Sequence, residues 1–270
     1  MRRIGEAMGK QKKRKKRGAG DIVRSVLLIV CIGIFLFSAF QLFRIYMEYK
    51  KGSDEYDSIK DTAVIEPARE ETGEETEEPQ IQAPQIDFAS LQATNPDVVG
   101  WLELEAIDIS YPIVKGKDND KYLHYTFEGK KNAAGAIFME YTNKSDFSDC
   151  NTIIYGHNMK NGSMFGQLKK FQREDVYSVS PYLWICTPGG SYRYEIFSYH
   201  TTSATGDTYT LFSAPGQEFQ QYLDKMKSSS EIENDVQVSQ SDKIVTLSTC
   251  TGNDKTRFVV QAKRLPEVYK

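Results

Sequence analysis

The hydrophobic pattern changes character three times along the chain. Residues 25–43 (SVLLIVCIGIFLFSAFQLF) form nineteen positions without a charge, close to the ~20 residues a helix needs to cross ~30 Å of hydrocarbon. Residues 44–60 carry charges among Ile45, Tyr46 and Tyr49 and are expected to continue that helix. From Asp61 to about Gln85 the sequence is Glu-rich, contains Pro67, Pro79 and Pro84 and has few apolar residues. Such a segment cannot bury enough surface to offset its ordering entropy, so a linker is expected. From Ile86 onward the pattern is globular. Short β-branched or aromatic runs bounded by Gly, Asp, Asn or Pro fall at 98–104, 107–114, 134–139, 152–155, 182–187, 192–199, 243–247 and 257–262, predicting eight strands in a barrel or sandwich. A short helix from Phe88 with Asp87 as its N-cap is expected to end near Asn95-Pro96. Phe219, Tyr222, Leu223 and Met226 behind Pro215 predict a core-facing helix over 216–227, and a shorter one is expected over 164–171.

Charge supplies the orientation. Residues 1–50 hold twelve Lys or Arg against three acidic residues, whereas 54–78 hold eleven Asp or Glu against Lys60 and Arg69, although the net charge is only -3. Basic residues ahead of the apolar run place the N-terminus in the cytoplasm and everything after Arg44 outside. A secretory signal peptide shares the basic start, but its apolar core usually runs ~7–15 residues, and no clear small-x-small cleavage site precedes Gln41. A buried core helix seldom carries so long an uncharged run behind a polybasic flank. The expected division is therefore a basic cytoplasmic tail (1–24), a transmembrane helix (25–43), a juxtamembrane helix with acidic linker (44–85) and an extracellular domain (86–270). Of the four cysteines, Cys31 lies in the span, leaving Cys150, Cys186 and Cys250 outside. A Cys150–Cys186 disulfide and two buried free thiols both fit, and either leaves Cys250 over.

Cys250 closes the run Thr246-Leu247-Ser248-Thr249-Cys250, with Arg257 seven residues on, and His157 follows another β-branched run in Tyr155-Gly156-His157-Asn158. A thiol with an ordinary pKa of ~8.5 needs a nearby cation or histidine to be thiolate at neutral pH. Acyl transfer needs a nucleophile, a proton donor for the leaving amine and a positive group for the oxyanion. Cys250, His157 and Arg257 fill those roles in that order. On residue type alone each is as readily structural: a core cysteine, a satisfied histidine, a surface ion-pair partner. His124 and His200 lack metal-ligand spacing and read as structural.

The cysteine and histidine segments, with the continuation Met159-Lys160-Asn161-Gly162-Ser163-Met164-Phe165 and the preceding Ala134-Gly135-Ala136-Ile137-Phe138-Met139, resemble those of the class B sortases, membrane-anchored cysteine transpeptidases of Gram-positive bacteria. The resemblance spans roughly residues 86–266. It implies a mainly β fold, an eight-stranded β-barrel with N-terminal helices and a helix between the sixth and seventh strands. It implies attack by Cys250 on a Thr–Gly or Thr–Asn type bond in the C-terminal sorting signal of a secreted protein. A peptidoglycan-precursor amine would resolve the thioacyl-enzyme, with His157 moving the proton and Arg257 steadying the oxyanion. By the same resemblance Tyr155, Ser248, Asn119, Leu123, Thr205, Tyr209 and Thr210 would contact the sorting signal. Tyr155 and Ser248 lie two residues before His157 and Cys250, hence on the same strand faces. The partners implied are sorting-signal proteins, the peptidoglycan amine and the cytoplasmic membrane. No cofactor, metal or nucleic acid is implied, and the acidic cluster that binds calcium in class A sortases has no clear counterpart. A non-catalytic exported barrel that binds cell-wall peptide, and a purely hydrolytic cysteine endopeptidase, are the competing readings.

Overall fold

The computed structural model describes residues 18–65, 81–173 and 176–270; the basic tail up to residue 17 and most of the acidic linker, 66–80, lie outside them. The chain divides after Met47 into two units. In the first, helix α1 (Ala19–Ala63) begins, and its apolar side chains, including Leu28, Phe35 and Phe37, are exposed. Among the described residues this is the one helix long and apolar enough to cross a membrane.

The second unit starts at Glu48, ahead of residue 86, because the last turns of α1 bury Tyr56, Ile59 and Ala63 in the core. Immediately after α1, the pair β1 (Val64–Ile65) and β2 (Gln85–Ile86) align antiparallel and close the two ends of the acidic segment together. Helix α2 (Phe88–Thr94) follows, its Asp87 side chain accepting the Ser90 amide as N-cap and Asn95 ending it.

All eight predicted strands form. They are β3 (Val98–Leu104), β4 (Ile109–Val114), β5 (Ile137–Met139), β6 (Asn151–Tyr155), β7 (Tyr182–Thr187), β8 (Gly190–Ser203), β9 (Ile244–Cys250) and β10 (Thr256–Tyr269). They close into a barrel in the order β10-β8-β7-β3-β4-β5-β6-β9. Two of its pairings, β4 with β5 and β6 with β9, are parallel, and the rest are antiparallel. Two short helices that no periodicity announces, α3 (Lys121–His124) and α4 (Val176–Val179), fill connections. Over 164–171 the expected helix is instead a run of turns ending in a 3-10 segment at Leu168–Gln172. Met164 has φ 55°, outside the right-handed helical range.

Helix α5 (Gln217–Ser228) joins β8 to β9, the sixth and seventh barrel strands, and buries Phe219, Tyr222, Leu223 and Met226. These pack with Cys150, Phe197 and Ile244 in a core cluster separate from the main one, in which Cys186 lies. Cys150 and Cys186 are thus free buried thiols in different clusters. Burial pushes the Cys186 thiol up to about 11 and raises that of Cys150, which the nearby Asp149 carboxylate raises further.

His200 on β8 is 5% exposed, with Nδ1 against Ser198 Oγ at 3.2 Å and Nε2 against Thr208 Oγ1 at 3.3 Å. It therefore props the 3-10 turn Asp207–Tyr209. Burial holds its pKa below the usual 6.5, opposed by the more weakly acting Glu231. The folded state then binds the proton less readily than the unfolded chain, so stability is fully present above 6.5 and is lost as pH falls below it. Melting temperature is expected to drop more steeply below that pH in the wild type than in His200→Gln; parallel melting curves between pH 7 and 5 would contradict this.

Candidate active site

The register of three strands assembles the site. Strands β6 and β9 run parallel with Tyr155 opposite Ser248, so two residues further on His157 and Cys250 leave the sheet side by side. Three hydrogen bonds carry the pairing past the end of β6. Gly156 N donates to Ser248 O (3.1 Å), Thr249 Oγ1 to Gly156 O (2.8 Å) and Asn158 Nδ2 to Cys250 O (2.8 Å). On the other side of β9, antiparallel β10 puts Arg257 directly opposite Cys250, a position in which Cβ atoms lie ~4.5–5.5 Å apart. The seven-residue spacing is thus a hairpin. Its turn is held by Asn253 Oδ1, which accepts the Lys255 and Thr256 amides, each at 2.9 Å. Lys169 Nζ steadies it further by donating to Thr251 O at 3.0 Å.

Cys250, His157 and Arg257 are each half-buried. His157 Nε2 lies 2.9 Å from Leu123 O. A carbonyl only accepts, so Nε2 carries a hydrogen and Nδ1 is the nitrogen free to take up and release a proton. Among the described residues Arg257 uses Nη1 alone, on the carbonyls of Thr256 (3.0 Å), Asp254 (3.2 Å) and Asn253 (3.4 Å). Those contacts leave the rest of its five-donor fork uncommitted.

The approach of His157 to Leu123 depends on Gly135. Its φ of +55° suits glycine, and a Cβ there would stand 2.5 Å from Tyr122 O, 3.0 Å from Leu123 O and 3.1 Å from His157 Cδ2. Gly135 is in turn fixed by α1, since Tyr56 OH donates to Gly135 O at 2.6 Å while accepting Phe127 N at 3.1 Å. The sequence signalled none of this support, because Gly135 reads there as a strand residue and Tyr56 as part of a charged helix.

Of the seven residues assigned to sorting-signal contact, four lie in one connected patch, and Leu123 contacts His157 beside it. Tyr155 stacks on Tyr209 with ring centroids 6.3 Å apart, and Tyr209 OH lies 2.7 Å from Ser248 Oγ. Asn119 is joined to Tyr155 through a residue the sequence reading passed over, Glu140, whose Oε2 accepts from both. Leu123 contributes the carbonyl to His157 while its half-buried side chain packs on the core. Burial raises the phenol pKa of Tyr155 and Tyr209; the Glu140 charge raises that of Tyr155 further, while the Arg257 charge lowers both. Both rings thus feel the guanidinium. Thr205 is exposed and, among the described residues, bonds only to Ser203. Thr210 donates to Asp207 O at 2.7 Å and lines an open concavity of about 410 Å³ with residues 211–219. None of the three candidate catalytic residues lines that concavity. His124 is exposed beside Asp120 at 3.7 Å, outside the patch.

A thiol, an imidazole and a guanidinium delivered to one rim of a mixed β-barrel are the groups that a cysteine acyl-transfer enzyme requires. A family model described as the sortase domain matches residues 102–265. Sortase B of Listeria monocytogenes is 36% identical over 243 residues, covering 88% of this chain and 94% of that protein. The crystal structure of sortase B from B. anthracis superposes with a TM-score of 0.68 at 34% identity, over 82% of this chain and 100% of that one. The Staphylococcus aureus sortase B–substrate complex gives 0.62 at 34% identity, over 66% and 84%. The chain belongs to the sortase family, in its sortase B branch. It is a membrane-anchored cysteine transpeptidase with an extracellular catalytic domain, which cleaves the sorting signal of secreted proteins and joins them to peptidoglycan.

Proposed function

We propose that Cys250, His157 and Arg257 carry out this transpeptidation, with the sorting signal lying along Asn119, Leu123, Tyr155, Tyr209 and Ser248 and reaching Thr205 and Thr210. The observation that carries the reading is the register: Tyr155 opposite Ser248 in parallel, and Cys250 opposite Arg257 in antiparallel. His157 Nδ1 takes the Cys250 thiol proton, and the thiolate attacks the carbonyl carbon of the signal's threonine, the C–S bond forming as the carbonyl π pair moves to oxygen. Arg257 stabilises that oxyanion. Collapse breaks the C–N bond, and His157 gives its Nδ1 proton to the departing amine. The peptidoglycan amine then attacks the thioester, loses a proton to His157 and releases Cys250 as thiolate.

Incubation with a sorting-signal peptide and an amine acceptor is expected to give two species by mass spectrometry. One is an acyl adduct on the peptide containing Cys250, and the other is an amide joining peptide and amine. An adduct at another residue overturns the assignment of Cys250; adduct and hydrolysis without amide, at saturating amine, favours the hydrolytic reading.

A further inference from the structure

We propose that Glu140 is a positioning residue of the substrate groove, holding Asn119 and Tyr155 in place and leaving the Tyr155 oxygen available only as an acceptor. The inference rests on the function proposed above and extends it to a residue outside the catalytic set. Glu140 follows the three-residue strand β5, where a polar side chain at a strand end ordinarily turns to water. Here it is 7% exposed.

Its carboxylate is filled by neutral donors. Oε2 accepts Asn119 Nδ2 at 2.6 Å and Tyr155 OH at 3.0 Å, while Oε1 accepts the Thr142 hydroxyl at 3.1 Å and the Thr142 amide at 3.4 Å. Among the described residues no Lys, Arg or His forms an ion pair with it. A buried carboxylate without a cation holds its neutral donors strongly, because each bond offsets part of the desolvation of a full charge.

Two consequences bear on the groove. Asn119 is locked from both ends, since its Oδ1 also accepts Tyr141 N at 3.0 Å; its carboxamide orientation is fixed before a peptide arrives. Tyr155 spends its single hydroxyl proton on Glu140, so towards a ligand it offers lone pairs alone. The chemistry selected is therefore a hydrogen-bond donor from the sorting peptide, an N–H or O–H of its backbone or side chains. The alignment then passes by ring stacking from Tyr155 to Tyr209 and by hydrogen bond to Ser248, two residues before Cys250.

Glutamine at 140 keeps the shape but places an NH2 group either at Oε2, facing both Asn119 and Tyr155, or at Oε1, facing both Thr142 donors, and in either orientation the charge that strengthens these bonds is gone. In Glu140→Gln, KM for the sorting peptide is expected to rise roughly tenfold, with kcat and the KM for the amine acceptor changed less than about threefold. The same roughly tenfold weakening is expected in calorimetric binding of the peptide to the Cys250→Ala background, where no turnover intervenes. Combined with Tyr155→Phe the losses are expected to be less than multiplicative, because the phenylalanine has already lost the hydroxyl that Glu140 orients. A Glu140 that only braces the turn would instead lower the melting temperature, move both KM values and kcat together, and multiply with Tyr155→Phe. That result, or unchanged peptide affinity, overturns the inference. Glu140→Asp, which keeps the charge but withdraws it by one methylene, is expected to show the same selective loss and replaces the glutamine variant if that one does not fold. If the wild type binds peptide yet never cleaves it, the proposed function fails and the binding comparison still judges Glu140.

Discussion

Cys250→Ala is expected to abolish cleavage of a fluorogenic sorting-signal peptide, lowering kcat by about 10⁵-fold or more, as removal of a nucleophile does in other acyl-transfer enzymes. In the proposed mechanism the thiol is the atom that bonds to the substrate, and the domain's other two cysteines cannot stand in for it: Cys150 and Cys186 are buried free thiols, the first against α5 and the second against the Pro84 carbonyl. The fold should survive, because Cys250 is only half-buried at the end of β9 and its cross-strand bonds to β10 and Asn158 use backbone atoms. Cys250→Ser should be nearly as inactive, since a hydroxyl is scarcely ionised where a thiol can be. Release of fluorophore by the alanine variant at more than a trace of the wild-type rate would remove Cys250 from the mechanism.

Gly135→Ala should cause the second-largest loss, although residue 135 is outside the reacting set. The added methyl would sit 2.5 Å from the Tyr122 carbonyl oxygen, a backbone atom that cannot swing aside, on a residue already at φ +55°. Relief requires either the Lys121–His124 turn or the 134–136 stretch to move. The first carries the Leu123 carbonyl that holds His157, and the second is pinned by Tyr56 and by the Ala136 amide on Tyr122 O at 2.9 Å. Either movement shifts the imidazole relative to Cys250, and a displacement of ~1 Å in a catalytic group can cost about 100-fold in rate. The expected result is a kcat reduced by roughly that factor with a stability loss of about 1–3 kcal/mol, read from peptide turnover and from chemical denaturation. Turnover within twofold of wild type would show that His157 is not positioned through this contact.

The strands were legible because each is a β-branched or aromatic run closed by a turn former, and helix α5 because Phe219, Tyr222, Leu223 and Met226 recur at helical spacing. Pairing was not legible. Nothing local in Asn151-Thr152-Ile153-Ile154 says that its neighbour is Thr246-Leu247 in parallel, yet that register sets His157 beside Cys250. Residues that act by contact were hidden for the same reason. Glu140 looks like a charge ending a strand, and Gly135 like a weak strand residue, until the chain brings Asn119 or Leu123 against them. The buried stripe Tyr56, Ile59 and Ala63 has helical spacing, but Asp54, Glu55, Asp57, Lys60 and Asp61 around it hide its burial, so the segment reads only as a continuation of the membrane helix.

The parallel ladder between β6 and β9 also bears on the chain's journey to its place of work. It closes the barrel between strands whose paired residues, such as Tyr155 and Ser248, are 93 positions apart, the kind of long-range pairing that forms slowly because a large loop must close first. Until that ladder forms, His157 is separated from the local hairpin of Cys250 and Arg257 by 93 positions of chain. On the proposed assignment the site is therefore complete only once β6 and β9 have paired, and a chain still folding does not yet hold its base beside its nucleophile.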